Sequence, residues 1–497
     1  MTFIIQQAIQ FKGRVAIREG IKAFTYDELI LRAGKVATFL LRGKDDLGSA
    51  RIAYMVNPGI AYVAVQWGIW QAGGVAVPLS LNHPEEAVRY YLRDSGAEVV
   101  ICSPEYVKSL QPLASGMQLN LTDTEKVLED QDLKPFFPRI EGQRDAMILY
   151  TSGTTDKPKG VVSTHANIRS QITTLVEAWE WSSEDQIISF LPLHHVHGII
   201  NVVGCALWSG ACVHFMPEFD PSGVFHLILE ENLTLFMAVP TIYYKLIQYF
   251  NRLDPEAKQK LRDRFGRFRL MVSGSAALPV SVLDQWKVIT GHTLLERYGM
   301  TEIGMAISNP LHGARKAGYV GMPLPGVGAR LMDEEGKPVR EGQPGEIQIK
   351  GPNVFKEYWQ KPVASRESFT SDGWFRTGDI ALVEHGYFRI LGRNSVDIIK
   401  SGGYKISALE IEEALRAIEG VKDTAVVGIA DEEWGELIAA AIQSPHLGEE
   451  DIPAIKESLL KKLPGYKMPR LYRFVAELPR NAMGKVVKQE VKTIFTA

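Results

Sequence analysis

The 497-residue chain is poor in cysteine, holding Cys102, Cys205 and Cys212 alone. Their spacing matches no metal-ligand pattern and three cannot all pair, so they read as buried thiols in a reducing compartment without a structural disulfide. Net charge is also scarce: 55 Lys and Arg against 58 Asp and Glu leave −3. Such a balance exerts no general pull on nucleic acid, and any anionic ligand must be held by local groups. Long apolar runs are missing too. The stretch from Gly198 to Ala211 is broken by Asn201, Gly204 and Ser209, short of the roughly 20 residues a bilayer span requires, so no membrane span is expected. The opening Met-Thr-Phe-Ile-Ile-Gln-Gln-Ala has neither a basic segment before a long apolar core nor an Arg- and Ser-rich amphipathic pattern. A cytoplasmic protein is therefore expected, or the mature form of an organellar one such as a mitochondrial-matrix protein.

What is present is an ordinary globular composition, 45% hydrophobic and 23% charged, in a chain long enough for roughly three units at about 150 residues each. Strand-like and helix-like runs alternate in the first part: Arg51–Val56, Tyr62–Gln71, Gly74–Pro78, Glu85–Ser95 and Glu98–Ile101. Alternation of this kind predicts an α/β fold with parallel-rich sheets and covering helices. The pattern returns at Leu235–Val239, closed by Pro240, and at Arg269–Val272, where Ser-Gly-Ser-Ala-Ala-Leu-Pro279 turns into a helix. Both strand ends are expected to open into a shared crevice, where open α/β sheets bind ligands. From about Tyr319 short alternating runs such as Gly345–Lys350 predict a small β subdomain, about residues 319–393. A boundary near Gly392-Arg-Asn394 divides a large region, 1–393, from a small α+β domain, 394–497.

The loop Thr151-Ser-Gly-Thr-Thr-Asp-Lys-Pro-Lys-Gly160 offers hydroxyls, freed backbone N–H groups and two ammoniums, a composition suited to polyphosphate. It joins two short apolar runs and so reads as a hairpin, unlike a Walker loop, which opens into a helix. As ordinary turn residues, Thr, Ser, Gly and Pro also fit a plain surface loop. Arg297-Tyr-Gly-Met-Thr-Glu302 combines an aromatic face for adenine, a hydroxyl for phosphate and a carboxylate for Mg²⁺; a strand followed by a polar turn is the plainer alternative. Trp374-Phe-Arg-Thr-Gly-Asp379 ends in a carboxylate able to accept from ribose hydroxyls, or in a turn aspartate. Lys400-Ser-Gly-Gly-Tyr-Lys405 is a tight turn or hairpin, and Asn481-Ala-Met-Gly-Lys485 ends in a lysine that alone would pass for a solvated one.

Taken in order, these motifs, together with Gly392-Arg393, resemble the adenylate-forming superfamily of acyl-CoA synthetases, adenylation domains and luciferases. The resemblance runs from Phe24-Thr-Tyr-Asp-Glu-Leu29 to Lys485. It implies activation of a carboxylate by ATP, release of pyrophosphate and acyl transfer from acyl-AMP to a thiol, with Mg²⁺ and coenzyme A required. Carried onto matching positions, Thr151, Ser152, Gly153, Thr154, Thr155 and Lys159 hold the β- and γ-phosphates. Glu302 holds Mg²⁺, Ser275 and Tyr298 line the adenine pocket, and Thr301 meets the α-phosphate. Asp379 and Arg393 bind ribose, and Lys485 bridges the attacking carboxylate and the α-phosphate. After adenylation the C-terminal domain is expected to rotate, bringing Gly402-Gly403 to the pantetheine tunnel. The hinge position, normally Asp or Lys, is Ser395 here, with Asp397 as the alternative.

Glu296–Glu302 with Ser308-Asn-Pro310 and Gly321–Gly326, and the run Gly392–Glu410, further resemble the malonyl-CoA synthetases, the latter their mitochondrial type. The expected substrate is malonate, with methylmalonate second. Arg297 would grip the distal carboxylate, with Ser273 or Ser275 assisting and His197 in the acyl pocket. The alternatives are an internal salt bridge for Arg297 and a packed core imidazole for His197. At the level of function they are a medium-chain or aryl acid-CoA ligase, an adenylation enzyme loading a carrier protein, or a non-catalytic nucleotide-binding relative. A monomer or weak dimer acting on small molecules is expected, without nucleic-acid partners.

Overall fold

The computed structural model describes residues 2–129, 136–151, 157–480 and 486–496. Among these, four sheets form. A seven-stranded sheet is ordered Glu357–Tyr358, Lys159–Thr164, Asp145–Thr151, Val75–Pro78, Arg51–Met55, Val99–Cys102 and Asn120–Asp123. From Asp145–Thr151 onward its neighbours are parallel, and the inner strands Val75–Pro78 and Arg51–Met55 are almost wholly buried, as expected of strands covered on both faces. A nine-stranded sheet carries Gln186–Ser189, Leu235–Ala238, Leu270–Ser273 and Leu295–Met300 as parallel neighbours at its centre.

The largest core draws side chains from both sheets: Ile17, Ile187 and Val213 from one, Ile52, Ala76 and Met147 from the other. Helix Ile60–Gln71 contributes to it and is buried all round, which explains why its sequence lacks a polar face. It packs on helix Tyr26–Leu41, and a β-carbon on Gly68 would lie 2.5 Å from that of Val36, so the contact requires glycine. The second helix starts at a capping box, Thr25 with Glu28, as its Thr-x-x-Glu spelling dictates.

A four-stranded antiparallel sheet spans Gly328–Met332, Gly345–Lys350, Phe375–Glu384 and Tyr387–Arg393. Two short strands from the same stretch of chain leave it: Met322–Pro323 joins the edge of the nine-stranded sheet and Glu357–Tyr358 the edge of the seven-stranded one. Proline is tolerated at such an edge. The small C-terminal sheet holds Ile398–Ser401, Tyr404–Ser407, Asp423–Asp431, Gly435–Gln443 and Leu471–Val475. Its helix Ala408–Arg416 meets the larger part of the molecule through Glu413, which accepts from the N–H of Val280 at 3.0 Å. Lys405 pairs with Glu334 at 2.7 Å.

Candidate active site

The strands flanking the Thr- and Gly-rich loop pair antiparallel with Thr151 opposite Lys159, the hairpin its sequence predicts. Ser152, Gly153, Thr154 and Thr155 lie outside the described residues. The feet of the loop are braced: Tyr150 donates to Asp94 at 2.9 Å and Tyr90 to the carbonyl of Pro158 at 2.7 Å. An aromatic ladder, Tyr150 to Tyr91 to His83 to His194, with ring centroids 4.6, 5.0 and 5.4 Å apart, leads from there to the segment that precedes His197. Lys159 stands 5.2 Å from the ring centre of Tyr358, whose hydroxyl donates to Glu302 at 2.9 Å. One tyrosine therefore touches both the loop cation and the carboxylate expected to hold a metal.

Glu302 sits in the turn between strands Leu295–Met300 and Gly304–Ser308. A β-carbon on Gly299 would lie 2.0 Å from the carbonyl oxygen of Gly304, so this hairpin closes only with glycine there. Burial raises the pKa of Glu302, against which the Tyr358 hydrogen bond acts. No group of three or more metal-ligating side chains occurs among the described residues. A single carboxylate is nonetheless what Mg²⁺ uses when substrate phosphates and water complete its shell. Thr301 is half-buried in the same turn.

Tyr298, on the strand leading into the turn, donates to Asp379 Oδ2 at 2.6 Å. Arg393 pairs with Asp379 Oδ1 at 3.1 Å, the two residues being register partners on adjacent strands. Tyr298, Asp379 and Arg393, distant in sequence, thus form one hydrogen-bonded group.

The residues expected to meet the acid gather near the carboxyl ends of the parallel strands. His197 opens a π-helix, His197–Gly204, a rare geometry that concentrates at functional sites. Its Nδ1 lies 3.1 Å from Ser275 Oγ, and Ser275 is held at φ 69°, in the left-handed region. Ser275 is thereby joined to His197. His197 Nε2 and the Oγ of Ser273, the last residue of its strand, are buried with no protein partner among the described residues. Burial foremost, then the neighbouring Arg297 and His195, push the pKa of His197 well down, so the ring is neutral.

Arg297 is 5% exposed, and its Nε and Nη2 have no partner among the described residues. Burial pulls its pKa down to about 9, still charged at neutral pH. The neighbouring Glu296 does not neutralise it, because successive side chains of a strand point to opposite faces. Glu296 instead accepts from the N–H of Gly318 at 3.3 Å. Sequence reasoning allowed Arg297 an internal salt bridge, and the described residues form none with it. A buried cation without a counterion is costly.

The Gly402-Gly403 turn joins strands Ile398–Ser401 and Tyr404–Ser407 at φ 56° and 80°, the two-residue hairpin that paired glycines favour. Lys485 lies outside the described residues. Asp94, Tyr90, Tyr358 and Gly274 were not singled out from the sequence. Nothing in the local spelling marks them, because each acts on a partner 23 to 68 residues away.

Fold and site together define an enzyme that binds a nucleotide beside a small acid. The chain belongs to the AMP-binding enzyme family, which matches residues 4–359, and residues 410–485 match the family's C-terminal domain. It is 44% identical to the mouse (Mus musculus) mitochondrial malonate–CoA ligase ACSF3, over 98% of this chain and 89% of that protein. It is 41% identical to the malonate–CoA ligase of Arabidopsis thaliana, over 96% and 86%. Among solved structures, ATP-bound MatB from Rhodopseudomonas palustris superposes with a TM-score of 0.90 at 32% identity, covering 99% of each chain.

Proposed function

We propose that this protein is an ATP-dependent, AMP-forming malonate–CoA ligase, converting malonate, ATP and coenzyme A to malonyl-CoA, AMP and pyrophosphate through malonyl-adenylate. One observation carries the choice of acid: Arg297, buried and charged, faces no carboxylate among the described residues. A fatty or aryl acid would leave that charge unpaired, whereas the distal carboxylate of malonate supplies the missing partner in a charge-assisted pair. The 44% identity to a protein named malonate–CoA ligase supports the same acid. Methylmalonate, with the same two carboxylates, is the second candidate.

In this reading Thr151, Ser152, Gly153, Thr154, Thr155 and Lys159 grip the β- and γ-phosphates. Tyr298 supplies an aromatic wall for adenine and, through its hydroxyl, orients Asp379, which with Arg393 holds the ribose. Thr301 meets the α-phosphate. Glu302 holds Mg²⁺, which when bound offsets charge on the phosphates. His197, kept neutral, with Ser273 and Ser275 lines the acid site and leaves Arg297 as its cation. Lys485 brings a positive charge to the point where two anions must meet, the malonate carboxylate and the α-phosphate. Breaking the bond between the α- and β-phosphates releases pyrophosphate; attack by the thiol of coenzyme A on the acyl carbon then releases AMP. Residues 394–497 would form the mobile domain, with Gly402 and Gly403 lining the thiol's approach in the second step.

No helix among the described residues is long and apolar enough to cross a membrane. We place the enzyme in a reducing compartment, consistent with three buried free thiols: the cytoplasm, or the mitochondrial matrix. We expect a monomer or weak dimer. The deciding experiment is a panel of acids with ATP and coenzyme A, following pyrophosphate and acyl-CoA. Malonate should lead by at least about 100-fold over acetate and medium-chain acids. Absence of malonyl-CoA, or preference for an acid with one carboxylate, would overturn the assignment.

A further inference from the structure

The segment carrying Lys485 runs directly into helix Lys488–Thr496. Its first residue is a lysine, at the end where the helix dipole disfavours a cation, and its side chain is only 9% exposed. Lys488 Nζ lies 2.7 Å from Asp397 Oδ1 and 2.8 Å from Glu412 Oε1. Burial alone would lower its pKa, but Glu412 and Asp397 outweigh that and raise it, so the ammonium stays charged.

The two carboxylates belong to different structures. Glu412 projects from helix Ala408–Arg416 into the C-terminal core, where it also accepts from the N–H of Val426 at 2.9 Å. Asp397 belongs to the connector that follows Arg393. Its Oδ2 accepts from the N–H of Arg393 at 3.0 Å, and its own N–H donates to the Arg393 carbonyl at 2.8 Å. The close approach depends on Gly392, at φ 128°: a β-carbon there would lie 2.3 Å from that of Asp397. Arg393 in turn holds Asp379. A continuous set of contacts therefore runs from Asp379 through Arg393 and Asp397 to Lys488, three residues beyond Lys485.

We propose that the Asp397–Lys488–Glu412 triad is a latch in which Lys488 acts as a positioning residue for adenylation. It fixes the start of the last helix, three residues after Lys485 in sequence, to the connector that carries Arg393. Three charges buried together are no cheaper than well-packed apolar side chains. What the triad adds is registration of two segments some 90 residues apart in sequence. This inference rests on the reading of Lys485 as the adenylating lysine.

The test uses the full chain and the acid the panel selects, with the two half-reactions measured apart: acid-dependent ATP–pyrophosphate exchange, and acyl-CoA formation from synthetic acyl-adenylate. Lys488→Met should lose exchange by about 100-fold, the order a misplaced catalytic group costs. The loss should fall on kcat rather than on the KM for ATP, with the thiol step within about threefold of wild type. Lys488→Arg, which restores the charge, should recover exchange to within about tenfold. Should Lys488→Met fail to fold, Asp397→Asn keeps the Lys488–Glu412 pair and carries the same expectation. Full exchange activity in folded Lys488→Met or Asp397→Asn, or equal loss in both half-reactions without recovery by arginine, would overturn the latch. Lys485→Ala separates the two ideas: normal exchange there would refute the reading of Lys485, whereas an inactive Lys485→Ala beside a fully active Lys488→Met would refute the latch alone.

Discussion

The guanidinium of Arg297 occupies the space that a side chain at Gly274 would fill. A β-carbon on Gly274 would lie 2.3 Å from Cζ of Arg297. The cation is thereby seated against backbone at the end of the strand Leu270–Ser273, with no carboxylate of the described protein to answer it. Replacing Arg297 by methionine keeps bulk and removes charge. Truncating one side of a buried charged pair costs about 2–5 kcal/mol, so kcat/KM for malonate should fall roughly 30-fold to several-thousand-fold, while residual activity on acetate changes little. Steady-state kinetics on the two acids checks this; parallel losses would show a structural arginine.

Gly274→Ala tests the seat itself. Gly274 has no positive φ, so alanine imposes no backbone strain there and acts only through the clash with the guanidinium. Overpacking of this kind costs about 1–3 kcal/mol. Malonate turnover should drop by about 10- to 100-fold in a folded enzyme, and acetate turnover far less. A variant with unaltered malonate kinetics would mean that Arg297 does not sit where malonate binds.

Glu296 faces away from Arg297, and burial, with Glu413 adding to it, pushes its pKa up to about 8. In the unfolded chain the same group titrates near 4.3. Between those values the native state keeps a proton that the unfolded state has released, so stability should fall as pH rises from about 4.5 to about 8. Glu296→Gln removes the ionisation and should flatten that decline, leaving the variant more stable than wild type at pH 8.5. Urea midpoints at pH 5, 7 and 8.5 measure it. Identical slopes in the two proteins would contradict the assignment.

The contact of Tyr358 with both Lys159 and Glu302 separates two functions of one site. Glu302→Gln should shift the magnesium activation curve to at least about tenfold higher concentration, since a neutral amide is a poorer ligand for a hard cation. Tyr358→Phe loses one hydrogen bond, about 0.5–1.5 kcal/mol, and should shift the same curve only a few-fold. Titrating Mg²⁺ at fixed ATP gives both answers. An unchanged curve for Glu302→Gln would remove that residue from the metal site.

Much of the architecture is legible in the sequence, because it follows from short-range pattern. Helix Glu85–Ser95 and strand Leu471–Val475 fall at the predicted bounds, and most other predicted elements shift by one to three residues. Paired glycines made 402–403 readable as a hairpin turn, since only that geometry uses two successive positive φ angles cheaply. By contrast, Gly435–Gln443, which holds the C-terminal sheet together, was not predicted. Its run of Leu, Ile and three alanines does not separate strand from helix, and pairing with Asp423–Asp431 decides the matter.

The sequence by itself determined the α/β class, the order of the nucleotide motifs and the family resemblance, because motif residues carry their chemistry in local spelling. Only the tertiary structure decided what those residues face. Burial and partnership belong to pairs distant in the chain: Tyr298 with Asp379, Lys159 with Glu302 through Tyr358, and Lys488 with Asp397. An arginine beside a glutamate in sequence could pass for an ion pair. The strand that turns Glu296 to one face and Arg297 to the other leaves the guanidinium charged, buried and without a carboxylate partner among the described residues.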